Sequence, residues 1–185
     1  MILSSSREIL ERDGINGLSA RAIAKEIGYS PGTLYNVFKN LDDLISTIER
    51  ALLQEGLAAL RAVPRHNRPS DQLRALAECY ISFALKNRRL WNLLFQHTPK
   101  EDIADLKDAK SILRDMRQEF GAAVASLTAS GNNVDVEKLA ACVWFCVHGL
   151  SAIAVSEKDI DLDPRDAASY VSVMTDAVMA LADRR

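Results

Sequence analysis

Cysteine, glycine and proline are all scarce in this chain. Three cysteines among 185 residues are too few and odd in number for a disulfide framework, which fits a reducing cytosol. Eight glycines and five prolines leave little material for the many turns of a small-stranded fold. The abundance of Ala and Leu favours helices instead. No apolar run approaches the roughly 18 residues of a membrane span, and the N-terminus lacks the basic start and apolar stretch of a signal peptide. An excess of positive charge is missing too: the formal net charge is −2, so composition by itself does not point to nucleic acid. Enzyme readings find no glycine-rich phosphate loop, no His-Glu metalloprotease pair and no nucleophile elbow. Asp102, Asp105 and Asp108 recur every three residues, which reads as a solvated face complementing a helix dipole. No cofactor or metal is expected.

What remains is a helical pattern with clear punctuation. Hydrophobic periodicity predicts an all-α chain of about nine helices, near 2–13, 20–27, 31–38, 41–62, 71–87, 89–97, 101–128, 134–156 and 164–183. Gly14 stops the first. Ser19 caps the second and Gly28 ends it in a left-handed conformation. Ser30 is expected to cap the third, with Pro31 at its first position. Asn40 caps the fourth, with Asp43 in the place of a capping-box acid. Ser70 is expected to cap the fifth and Asp163 the ninth, with Pro164 in its first turn. The stretch 63–69 and the polar stretch 130–133 read as loops. The reading divides the chain into a head, 1–45, and a larger helical domain, 46–185.

The most informative segment is 19–38. Two short helices are joined by only Gly28, Tyr29 and Ser30, which forces the sharp crossing of a helix-turn-helix. Ile23, Ile27, Leu34 and Val37 are spaced to face inward, and Ala24 is small where the second helix passes close. Ile2, Ile9 and Leu10 form a stripe on the first helix that closes a three-helix core. The outward face is left with Gly32, Thr33, Tyr35, Asn36 and Lys39, groups suited to a groove and to phosphates. The segment 18–40 holds Arg21, Lys25 and Lys39 against a single acid, Glu26. The first fifty residues together carry six basic and seven acidic residues. The local sign suits DNA but the field is weak, so binding is expected to need two heads.

The string LSARAIAKEIGYSPGTLYNVFKNLDDLI resembles the DNA-binding domain of the tetracycline-repressor (TetR) family, in register over about 2–48. The resemblance implies a DNA-binding transcription regulator acting in the cytoplasm, usually a ligand-responsive homodimeric repressor on a palindromic double-stranded operator. It also implies residue roles. Ser19 and Arg21 would meet phosphates, with Arg21 in reach of a base. Ser30, Gly32 and Thr33 would open the recognition helix against the major groove. Tyr35 and Lys39 would bind phosphates, and Asn36 would pair with adenine. Many relatives have His in place of Val37, Lys or Ser in place of Leu41, and a basic arm ahead of the first helix. Here the chain begins at Met1-Ile2, so that arm is either absent or lies upstream.

The larger domain is similar, through VWFCVHGLSAI with Trp144, His148 and Gly149, to a C-terminal subfamily marked by a Trp-His-Gly signature. RRLWNLLFQH is also similar to a segment of that subfamily. An apolar or aromatic ligand would be lined by Phe83, Trp91, Leu94, Phe95, Met116, Phe120, Trp144 and His148; the same residues would equally build a plain core. His148 shares a face with Trp144 and is expected either to meet a ligand or to satisfy a backbone carbonyl. Cys142 and Cys146 stand four apart near His148, but no fourth metal ligand is evident, and buried small hydrophobes are the simpler reading. The eighth helix is apolar nearly all round and must be buried on two sides. With the ninth, through Tyr170, Val171, Val173, Met174, Ala177, Val178 and Leu181, it is expected to form a homodimeric four-helix interface. The other reading of the chain is a helical ligand- or protein-binding module without DNA recognition.

Overall fold

The computed structural model describes residues 1–98, 104–128, 135–156 and 166–182, and within them places nine α-helices and no strand. They are α1 (Ile2–Asp13), α2 (Ala20–Ile27), α3 (Gly32–Tyr35), α4 (Leu41–Arg61), α5 (Pro69–Lys86), α6 (Arg88–Gln96), α7 (Ala104–Thr128), α8 (Val136–Val155) and α9 (Ala167–Ala182). A single 3₁₀ turn, Ile15–Gly17, separates α1 from α2. The expected loop at 130–133, the Asp163 cap with Pro164, and the expected helical positions of Asp102 and Val134 lie outside the described residues. Asp108 is exposed, as a solvated helix face requires.

Helix ends follow local chemistry. Ser19 Oγ accepts the Ala22 N–H at 3.1 Å. Gly28 takes φ +74°, and its N–H and that of Tyr29 fold back onto the last carbonyls of α2. A side chain there would be strained. At α4, Asn40 Oδ1 accepts the Asp43 N–H at 2.8 Å, while Asp43 reaches back to the Lys39 N–H at 3.0 Å. Asp135, not foreseen as a cap, accepts the Lys138 N–H and opens α8. Two expected caps are corrected. Pro69 begins α5 with Arg68 ahead of it, two residues before the start that a Ser70 cap implies. A proline at the first position loses no hydrogen bond and already holds the helical φ. Ser30 makes no side-chain bond to a backbone N–H; its hydroxyl lies 3.4 Å from that of Thr33.

Helix α4 ties the two halves together. Its first turns belong to the head, and the remainder runs along α7, α5 and α6. Gly56 sits on α4 where a Cβ would come within 2.8 Å of the Met116 side chain and 3.2 Å of Phe83, so its absence lets α4 press close to both. Helices α5, α7 and α8 enclose the larger core, with α9 laid across α5. Trp91, Tyr80 and Phe120 are its largest fully buried side chains. Three buried hydroxyls are satisfied within their own helices, Ser6 to Ile2 O, Ser151 to His148 O and Thr175 to Val171 O, whereas the buried Ser46 Oγ on α4 has no hydrogen-bond partner among the described residues.

One composition-based expectation is overturned. Helix α8 is long and apolar enough to cross a membrane, although no such segment was expected. The two charged residues of its 20, Glu137 and Lys138, sit in its first turn, so the periodicity that usually marks a soluble surface helix is missing. Its apolarity is used instead for packing: Leu139, Val143, Trp144, Val147, Ala154 and Val155 are buried against the domain core.

Candidate nucleic-acid interface

The head is organised around a few inward side chains. Ile9, Ile23 and Leu34 are fully buried and Leu10 and Leu18 nearly so; burial of each such side chain contributes about 1.5–3 kcal/mol. Helix α3 is a single turn. Thr33 N–H bonds Ser30 O at 3.0 Å and Leu34 N–H bonds Pro31 O at 3.2 Å, so the turn starts tight, with Pro31 already in helical conformation. It closes as Val37 and Phe38 both donate to Leu34 O.

That early ending corrects the expected inward face. Val37 is 64% exposed, not core, and Phe38 at 8% takes the inward position. Leu34 and Phe38 are four residues apart and are joined by the Phe38 N–H to Leu34 O bond, so both reach the core while Val37 is left outside it. The i, i+4 spacing of Leu34 and Phe38 was the available signal. Ile27 is half-buried against the core, as expected.

None of the eight expected DNA contacts is buried in that core. Ser19, Arg21, Ser30, Gly32, Tyr35, Asn36 and Lys39 are exposed and Thr33 is half-buried. Glu26, the acid of this segment, lies 3.7 Å from Arg12 on α1. Its repulsion toward a phosphate is therefore partly offset by a base outside the segment. Arg12 also pairs with Asp13 at 3.0 Å. Asp43 turns its carboxylate onto the Lys39 N–H and the α4 N-terminus, where a negative charge is favourable.

In the larger domain the structure brings most of the expected ligand-lining side chains into one ring network. Its centre is Tyr80, which sequence reasoning missed. Tyr80 meets Trp91 at 5.2 Å, Trp144 at 5.4 Å and Phe120 at 6.0 Å, all edge-on. Phe83 joins through Trp91, and Trp144 stacks on His148 at 5.3 Å. Met116 is fully buried and Leu94 half-buried. Phe95 is 44% exposed and lies 5.2 Å from the His148 ring, so these two form the outer edge of the network. The His148 ring finds a protein partner that its sequence neighbourhood does not suggest. Its Nδ1 is 2.7 Å from the Tyr80 hydroxyl. Burial lowers the His148 pKa below its ordinary value and pushes the Tyr80 phenol far above its own, so both are neutral at pH 7 and the bond carries no net charge. Trp91 Nε1 donates to Ser151 Oγ at 3.2 Å.

Helix α6 fastens this network to the head. Arg88 donates to Val155 O and Ser156 O at the end of α8, at 3.1 and 2.7 Å. Its neighbour Arg89 donates to Glu11 O at 2.7 Å and to Arg12 O at the end of α1. Just beyond α6, the buried His97 ring approaches Glu49 at 3.1 Å and Asp42 at 3.6 Å on α4. A cleft of about 300 Å³ opens between α6 and the α1 end, lined by Arg12, Asn16, Arg89, Asn92 and Gln96 among others. Cys142 and Cys146 are exposed free thiols, not buried hydrophobes, because they fall on the uncovered side of α8. Among the described residues no group of three or more potential metal ligands is gathered.

The comparisons with known proteins agree with this geometry. The model for bacterial regulatory proteins of the tetR family matches residues 2–48, and that for a tetracyclin repressor-like C-terminal domain matches 73–178. The chain belongs to the TetR family. TetR-family proteins are transcription regulators, not enzymes. Two curated relatives named as HTH-type transcriptional regulators are similar to it. One is YobS of Bacillus subtilis (strain 168), 25% identical over 87 residues, covering 47% of this chain and 46% of the relative. The other, from Haemophilus influenzae, is 26% identical over 120 residues, covering 64% of this chain and 63% of the relative. The chain thus spans less than two thirds of the length of either relative. Solved structures are similar over nearly the whole length. A protein of unknown function from Rhodococcus sp. RHA1 matches with TM-score 0.75 at 23% identity, covering 97% of this chain and 92% of that one. The TetR regulator PfmR of Thermus thermophilus matches with TM-score 0.67 at 15% identity, over 99% of both chains. FadR of Bacillus subtilis, solved with stearoyl-CoA, matches with TM-score 0.71 at 13% identity, over 97% of both. At these identities the likeness is one of fold.

Proposed function

We propose that this chain is a homodimeric, ligand-responsive repressor that acts in the cytoplasm on a palindromic DNA operator. The observation that carries the DNA-reading part is the division of the head into two sides. Leu34 and Phe38 hold α3 to the core, while Arg21, Tyr35, Asn36 and Lys39 are exposed. In this reading Tyr35, Lys39, Ser19 and Arg21 hold phosphates. Ser30, Gly32 and Thr33 allow close approach to the major groove, and Asn36 pairs with adenine. The head comprises 1–45 and the regulatory domain 46–185, with α4 shared between them. A labelled duplex from the promoter region of its own or a neighbouring gene tests the assignment. The logarithm of the binding constant should fall linearly with the logarithm of salt concentration, and Tyr35→Ala and Lys39→Ala should each weaken binding. If both substitutions leave affinity unchanged, this docking is wrong.

The ligand is a small apolar or aromatic molecule bound where the Tyr80 network now packs on itself. Phe95 and His148 would be the entry, with Trp144, Trp91, Phe83, Phe120, Met116 and Leu94 parting to line the site. The similarity of Trp144, His148 and Gly149 to the Trp-His-Gly subfamily supports that location. FadR of Bacillus subtilis, a structural relative, holds stearoyl-CoA, so a long acyl chain belongs in the first set of compounds tried. No thermal shift with a broad panel of aromatic acids and acyl thioesters would remove the sensor role. The near-zero charge of the head favours a second reading, a helical binding module without DNA recognition; salt-independent or absent DNA binding would select it.

A further inference from the structure

We propose that Val37 reads the 5-methyl group of a thymine in each operator half-site. The proposal rests on the DNA-reading assignment of α3 above. Val37 is 64% exposed, a large apolar group left in water next in sequence to the exposed Asn36 and two residues before the exposed Lys39. Its position is held firmly. Its N–H is bonded to Leu34 O at 3.1 Å, and the next residue, Phe38, is anchored in the core. A β-branched side chain has little rotamer freedom to lose on docking. No acid occurs between 27 and 41, so no acid of this segment repels a phosphate backbone brought close to Val37.

The major groove presents one prominent apolar feature, the thymine methyl, and apolar side chains find it. An isopropyl group exposed among hydrogen-bonding neighbours is matched to that feature. Asn36, beside it, pairs best with adenine. The two adjacent side chains then both favour A·T pairs, and the centre of each half-site should be A·T-rich. Contact with deoxyribose, or with the second head, are the other uses an exposed valine could have, and neither depends on the methyl.

The test uses the full chain and a duplex it enriches from a random-sequence pool. Thymines are replaced by deoxyuridine one position at a time, in both half-sites. The replacement deletes the methyl and keeps the base pair. The expected result is one thymine position at which the unsubstituted protein loses about fourfold in affinity per half-site, the value of one buried methyl-sized group. Val37→Ala should bind the thymine duplex more weakly and be indifferent to deoxyuridine at that position. It should keep the response of the parent protein to base changes elsewhere, and its melting temperature should be unchanged, since the side chain is exposed. Indifference of the unsubstituted protein to every replaced thymine overturns the proposal while leaving sequence-selective DNA binding intact. So does a Val37→Ala protein that remains sensitive at the same thymine. If the chain enriches no sequence at all, the DNA-reading assignment falls and Val37 falls with it.

Discussion

Among single residues, His148 joins the chemistry of the larger domain to a measurable pH dependence. Burial lowers its pKa from the ordinary 6.5. The unfolded chain therefore binds a proton at this position at a pH where the folded chain does not, and stability rises with pH through that window. It is fully present above about 6.5 and is lost as pH falls toward the lowered folded value. Glu49 acts in the opposite sense: burial raises its pKa from 4.5, so its contribution weakens as pH rises through the window just above that value. The two windows are separated by substitution. Between pH 7.5 and 5.5 the parent protein should lose melting temperature, and His148→Phe should lose about 2–4 °C less over the same range. Equal pH profiles for the two would show that the ring is not kept neutral by burial. The sequence announced His148 as a residue of interest through its spacing from Trp144, but not its partner. Tyr80 is 68 residues away, and no local pattern points across that distance. Val37 has a more local reason: it and Phe38 stand three and four residues after Leu34, both fit the helical period, and the period alone does not decide between them where the helix ends at Tyr35.

Helix boundaries were the most legible elements because their chemistry is local. Ser19, Gly28 and Asn40 each perform the expected bond within three or four residues of themselves, and Ala substitution at Ser19 or Asn40 should cost about 1 kcal/mol, read from chemical denaturation. The contacts of α6 were not legible. Arg88 and Arg89 look alike in sequence, yet one closes the carbonyls of α8 and the other those of α1. Cations favour helix C-termini, so each arginine supports a different helix end. Both side chains are largely exposed, and each contributes on the order of 1 kcal/mol. The prediction is a division of labour. Arg89→Ala should speed amide hydrogen exchange around the end of α1 and the 3₁₀ turn, leaving α8 unchanged. Arg88→Ala should speed it at the end of α8 and leave α1 unchanged. Exchange that rises at both ends in both variants would mean that α6 loosens as a unit, and the individual contacts would not matter.

For the whole molecule, the decisive feature is what α8 and α9 leave uncovered. One side of α8 is buried in the domain, and the other exposes Cys142, Phe145, Cys146 and Ile153, with Phe145 at 66%. On α9 the expected stripe divides. Val171 and Val178 turn inward, while Tyr170, Val173, Ala177 and Leu181 stay outside at helical spacing. An apolar helix buried on one side only asks for a partner on the other, and two such helices meeting their copies across a two-fold axis make a four-helix bundle. The need for two heads comes from the other end of the molecule. A head with five basic and six acidic residues in 1–45 neutralises few phosphates alone, and doubling the contacts doubles the salt dependence. Dimerisation and DNA affinity should therefore fail together. Phe145→Glu places two charges at the centre of the proposed interface. Loss of about 2 kcal/mol at each copy weakens the dimer by about a thousandfold. Light scattering at micromolar concentration should show a dimer for the parent and a folded monomer for the variant. The variant should also bind operator with roughly half the salt slope. A parent protein that is itself monomeric removes the interface, and a variant that remains dimeric moves it away from Phe145. A monomer that keeps the full salt slope would show that one head is enough.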